Sequence, residues 1–96
     1  MNALEFINTV ASTIQERGDQ YGPIRENVDR IAAITYLISG EPVDPLLVVK
    51  VLVAVKLSRL AQDACHLDSV VDLAGYSAIW AELISEPALN EPVSGV

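Results

Sequence analysis

Apolar residues in the first segment fall at Leu4, Ile7, Val10, Ala11 and Ile14, the i, i+3, i+4, i+7 spacing of one helical face. Asn2 stands where an N-cap belongs and Gly18 where a C′ glycine does, so a first helix is predicted over about 3–17. Asp19 to Gly22 reads as a turn. Pro23, suited to a first helical turn, opens a second helix over 23–39. Ile24, Val28, Ile31, Thr35 and Ile38 form its inner face, Arg25, Glu26, Asp29 and Arg30 its outer one, and Ser39-Gly40 ends it. A stiff connector, Glu41 to Pro45, closes with an Asp N-cap and a Pro at N1. The run Leu46 to Val55 would suit a buried strand on composition. No partner strand exists elsewhere and the caps are helical, so a third helix over 45–64, buried on most sides, is predicted. His66-Leu67 makes a turn, and Asp68 or Ser69 caps a fourth helix over 69–85, with Ser69 and Asp72 at capping-box spacing. Its inner face is expected to be Val70, Leu73, Ala74, Ser77, Ala81 and Ile84, with Pro87 as the stop. The expected fold is all-α, a small four-helix bundle-like domain over 1–86 followed by a mobile tail over 87–96.

Composition narrows the function classes. The chain has 96 residues, and thirteen acids against six bases leave a net charge of −7. Direct nucleic-acid binding and an anionic membrane surface are both disfavoured, because each needs concentrated positive charge. No run approaches the roughly 20 apolar residues of a membrane span. The opening MNALEFINTV has no basic leader region, and a single cysteine, Cys65, allows no disulfide framework, so the cytoplasm is the expected setting. A hydrophobic content of 51% exceeds what a small monomer buries, which predicts a homo-oligomer.

Lys56, Arg59 and Asp63 make one polar stripe on the otherwise apolar third helix, and Asp68 and Asp72 sit one turn apart at the start of the fourth. A tight turn makes these helices antiparallel neighbours, so Arg59 and Asp72 are expected to meet across the seam. Two readings stay open: a structural ion-pair clamp, or an anion site with Lys56 and Arg59 on phosphate and Asp68 and Asp72 on a cation or sugar hydroxyl. Gly75 permits either close helix packing or a ligand lying against backbone. Tyr76 and Trp80 read as a packing pair. Arg17, Tyr21 and Asn27 could form a second polar wall of the same site, while His66 reads as a turn residue and Cys65 as an apolar filler.

The run Glu16-Arg17-Gly18-Asp19-Gln20-Tyr21-Gly22 with Asn27, then Lys56-Leu57-Ser58-Arg59-Leu60, then His66 to Tyr76 together resemble a group of small helical proteins common in phages and prophages. The shared pattern, K-x-x-R on one helix and D-S-x-x-D-x-x-G-Y opening the next, is similar to the nucleotide-modification-associated domain and covers about residues 12–84. A looser likeness to MazG-type pyrophosphohydrolases lacks their E-x-x-E motif. The resemblance implies a phage accessory protein of the host cytoplasm that binds a nucleotide or related phosphate without catalysis. Lys56, Arg59, Asp68, Asp72, Tyr76, Arg17 and Tyr21 would contact the ligand, with Mg²⁺ as a candidate companion of the nucleotide and no catalytic or metal-ligating residue assigned. The alternatives are an acidic protein that inhibits a host defence or nucleic-acid-binding protein, and a metal-dependent nucleotide hydrolase. An exposed patch from Glu16, Asp19, Glu26 and Asp29 would favour the first; carboxylates converging on Asp68 and Asp72 from Glu5, Glu26 or Asp29 would favour the second.

Overall fold

Asn2 lies in extended backbone and its side-chain oxygen accepts the Glu5 N–H at 2.9 Å, the contact that starts helix α1 (Ala3–Tyr21). This is a computed structural model, and it describes residues 1–86. Three further helices follow: α2 (Ile24–Ser39), α3 (Pro45–Gln62) and α4 (Leu67–Ile84). The all-α expectation holds, and the expected tail over 87–96 lies outside the described residues.

The boundaries differ from the sequence reading at five ends, by one residue at the start of α2 and the end of α4 and by more at three others. Helix α1 runs through Gly18 to Tyr21, and Gly22 is its cap, at φ 83° with its N–H on the Gly18 carbonyl at 2.9 Å. The stop falls there because Pro23 disfavours helical backbone in the residue before it, whereas a glycine inside a helix only weakens it. Helix α3 stops at Gln62 because the Asp63 carboxylate accepts the Cys65 N–H at 3.0 Å and turns the chain. Helix α4 then begins at Leu67 with His66 as its cap, so Asp68 and Ser69 lie in the first turn, and no capping box forms. The buried Ser69 hydroxyl bonds His66 Nδ1 at 2.7 Å, and the exposed Cys65 is not an apolar filler. Pro23, expected in the first turn of α2, is instead its N-cap, at φ −56° and ψ 136°. Two further signals act as read: Asp44 Oδ1 accepts the Leu47 N–H at 2.8 Å ahead of Pro45, and Gly40 closes α2 in the left-handed region at φ 76°. Each side-chain cap contributes about 1 kcal/mol.

The core is built by three of the helices: Val28 and Ala32 of α2, Val48 and Val49 of α3, Ile79 and Leu83 of α4. Trp80 packs against it, with the Lys50 ammonium 5.7 Å from its ring centroid. Helix α3 packs against α4 and α2, and α1 against α4 and α2. With partners on only two sides, α3 leaves Leu47, Val51, Val55 and Leu57 about half exposed, which corrects the expectation of burial on most sides. The inner face of α4 is also rotated from the expected one. Ser69, Val71, Gly75, Ile79 and Leu83 are buried, whereas Ser77, Ala81 and Ile84 are exposed. On α1 only Val10 is buried, and Leu4 and Ile7 face outward. The last described residue, Glu86, is tied to the start of α2 by Arg25, whose Nε and Nη2 reach its carboxylate at 3.2 and 3.3 Å. No described helix is long and apolar enough to cross a membrane.

Candidate functional site

One stripe of α1 faces α4 at helical spacing: Val10, Thr13, Ile14, Arg17, Gly18 and Tyr21. Opposite it, α4 presents Val71, Asp72, Gly75 and Tyr76, and the start of α2 closes the end with Ile24, Asn27 and Arg30. Between these walls lies a groove of about 320 Å³, at the lower end of the range for small-molecule sites. Val10, Ile14 and Val71 give it an apolar floor, and Arg17, Asn27, Arg30, Asp72 and two tyrosines supply the polar groups.

Asp72 organises this wall. Its Oδ1 accepts from Arg17 Nη1 at 2.7 Å and its Oδ2 pairs with Lys56 Nζ at 2.9 Å. The Asp72 and Lys56 side chains are only 10% and 13% exposed, while Arg17 is 52% exposed. Burial pushes the Asp72 carboxyl upward, but the hydrogen bonds and charges of Lys56 and Arg17 outweigh it and hold the group below its ordinary value. Arg17 commits one donor to Asp72, leaving the rest of a five-donor guanidinium for the groove. Arg30 makes no ion pair among the described residues.

Of the residues singled out in the sequence, Arg17, Tyr21, Asn27, Asp72 and Tyr76 come together in the groove. Lys56 does not line it and holds Asp72 from the α3 side. Arg59 is exposed and pairs with no carboxylate among the described residues, so the expected meeting of Arg59 with Asp72 is replaced by Lys56 and Arg17. Asp68 is exposed and lies outside the groove. Arg30, Gly18 and Thr13 are among the lining residues that sequence reasoning missed. The signal for Arg30 was its three-residue spacing from Asn27 and Ile24, which puts all three on one flank of α2. Both helical glycines of the groove have room for a Cβ: at Gly18 nothing lies within 4 Å of it, and at Gly75 the nearest atom is Ile14 Cγ1 at 3.9 Å. Close packing therefore does not require either glycine. Among the described residues, no three His, Cys, Asp or Glu side chains come together as a metal site.

These features define a small all-α protein with a concave site between its first and last helices. The chain belongs to the family described as domain of unknown function DUF6378, which matches residues 5–84. It is 30% identical over 77 residues to the Gene 55 protein of Mycobacterium phage D29, covering 80% of this chain and 51% of that protein. Against the Gene 55 protein of Mycobacterium phage L5 the identity is 32% over 69 residues, 71% of this chain and 44% of that protein. The chain thus spans about half the length of these curated relatives. No solved structure matches it.

Proposed function

We propose that this chain is a phage or prophage accessory protein that binds a nucleotide or related phosphate ester in the groove between α1, α2 and α4, without catalysis. The observation that carries the reading is the convergence of two guanidinium groups and two phenols on a glycine-lined apolar floor. Guanidinium forks match phosphate geometry, and aromatic rings beside an apolar floor suit a nucleobase. The relatives' phage origin supports the accessory role. A thermal-shift screen against nucleotides, with and without Mg²⁺, tests it. Ligand at 100 times its dissociation constant adds about 2.7 kcal/mol, a rise of about 10 °C in Tm for a domain of this size. The shift is expected to vanish in Arg17→Ala and to persist in Arg59→Ala; loss of the shift in Arg59→Ala instead would overturn this placement of the site.

A second copy of the chain is proposed as its protein partner. Between α2 and α3 runs a shallow apolar groove of about 180 Å³, lined by residues including Ile31, Thr35, Leu47 and Val51, beside exposed Ile34 and Ile38. The stretch from Ile31 to Gly40 carries no charge, and the first half of α3 only Lys50. On a chain of net charge −7, this face lets two copies approach with little repulsion. The reading as an acidic inhibitor draws on the exposure of Glu16, Asp19, Glu26 and Asp29, but Asp29 is paired with Arg25 at 3.4 Å, which weakens the patch.

A further inference from the structure

Building on the nucleotide reading above, we propose that the groove takes a nucleoside monophosphate, bound without a divalent cation, with its phosphate on Arg17 and Arg30 and its base over Gly18 and Gly75. Three observations point to this ligand class rather than to a magnesium triphosphate.

The first is the donor set. Magnesium held with a triphosphate is bound through one or two protein carboxylates in addition to the phosphates. Among the described residues, Asp72 is the sole carboxylate lining the groove, and both of its oxygens are engaged, Oδ1 by Arg17 and Oδ2 by Lys56. Recruiting it to a metal would leave the largely buried Lys56 ammonium without its counter-charge.

The second is the charge available to the ligand. A phosphate monoester carries about −1.5 to −2 near neutral pH. Arg30, without an ion pair among the described residues, and the free edge of Arg17 supply two guanidinium groups to meet it. Beside the groove-lining Gly22 stands the Glu26 carboxylate, 3.5 Å from where a Cβ would lie, adding negative charge that disfavours a more highly charged polyphosphate.

The third is the pair of glycines. Each sits inside a helix, where alanine is the better helix former, and each has room for a methyl group. Their absent side chains widen the groove one helical turn from Ile14 and Val71, with Tyr21 and Tyr76 among its lining residues. A flat heteroaromatic ring fits such a slot, and the modest volume favours a ligand with one phosphate over one with three.

Isothermal titration calorimetry of the whole chain tests the proposal with the ribo- and deoxyribonucleoside 5′-monophosphates, the matching triphosphates with Mg²⁺, and orthophosphate, each repeated in excess EDTA. At least one monophosphate is expected to bind more tightly than its triphosphate, with an affinity that EDTA leaves unchanged. Arg30→Ala, a substitution of an exposed side chain, should weaken it by about tenfold or more with an unaltered circular dichroism spectrum. Gly75→Ala should weaken binding while raising Tm. Tighter binding of a magnesium triphosphate, loss of binding in EDTA, or orthophosphate binding as well as any monophosphate would overturn the monophosphate assignment. The first two of those results would leave the nucleotide reading standing. Binding of no nucleotide at all would remove both.

Discussion

Asp72 carries a negative charge into a largely buried position because two cations accompany it, and the two differ in what they then do. Lys56, nearly as buried as Asp72, is committed to the pair, whereas Arg17 stays half in solvent with donors to spare. Asp72→Asn strands Lys56 and should cost on the order of 2 kcal/mol in urea unfolding at pH 7, below the usual 3–5 for a buried pair because Arg17 remains hydrated. The pH dependence has a definite sign. The folded-state pKa of Asp72 lies below the ordinary carboxylate value, so its stabilisation is present above the unfolded pKa of about 3.9 and disappears as pH falls through the folded one. Stability curves of the wild type and Asp72→Asn should therefore stay apart above about pH 5 and converge as pH falls below the unfolded carboxylate value. A gap that persisted to the lowest pH would show that packing, not charge, is what Asp72 supplies. At this scale the sequence was partly legible. Lys56 and Arg59 were both candidates because they sit three apart, but spacing alone does not say which flank turns toward α4. Arg17 lies 55 positions from Asp72, a distance across which no periodicity can join two residues.

At the scale of elements, caps and prolines carried most of the information, and helix phase was harder to read. Asn2, Gly40, Asp44 and Pro45 act as their local chemistry dictates, since a cap depends only on its neighbours. The face of α4 did not follow from hydrophobicity, because apolar residues occur all round it, and its inward side includes Ser69, Asp72 and Gly75. A carboxylate looks outward-facing until its partners on α1 and α3 are known. The glycines follow a similar logic. Gly75 was open to a packing explanation, and the 3.9 Å clearance to Ile14 removes the need for one. Gly18→Ala and Gly75→Ala should each stabilise the unliganded protein by up to about 1 kcal/mol, a rise of several degrees in Tm measured by calorimetry. A fall in Tm for either variant would mean that the backbone there needs glycine after all.

The whole molecule exposes more apolar surface than its helix count suggested. Ile38 is 81% exposed and Val51 54%, on the face assigned to a second copy. Sedimentation equilibrium is expected to give a mass above the 10.3 kDa of one chain, and Ile38→Lys with Val51→Lys to return it to that value with helical content retained. A wild-type chain that stays monomeric at high concentration would rule that interface out. The number of helices, their order and the acidic balance were all visible in the sequence; the extent of mutual burial was not, because it depends on how many helices each one touches.

The separation of α1 from the main core has a kinetic consequence. Helices α2, α3 and α4 follow one another along the chain and share the buried cluster of Val28, Ala32, Val48, Val49, Ile79 and Leu83. Helix α1 adds only Val10 to the buried set, and its Arg17 reaches Asp72 from outside that cluster. The first helix is thus expected to be the first to detach, and the groove exists only while it is docked. Partial opening at that seam should expose the α1 backbone to hydrogen exchange without unfolding the rest, and a ligand bound as proposed, by bridging α1 to α4, is expected to slow that exchange in one helix before it alters the global melting of the chain.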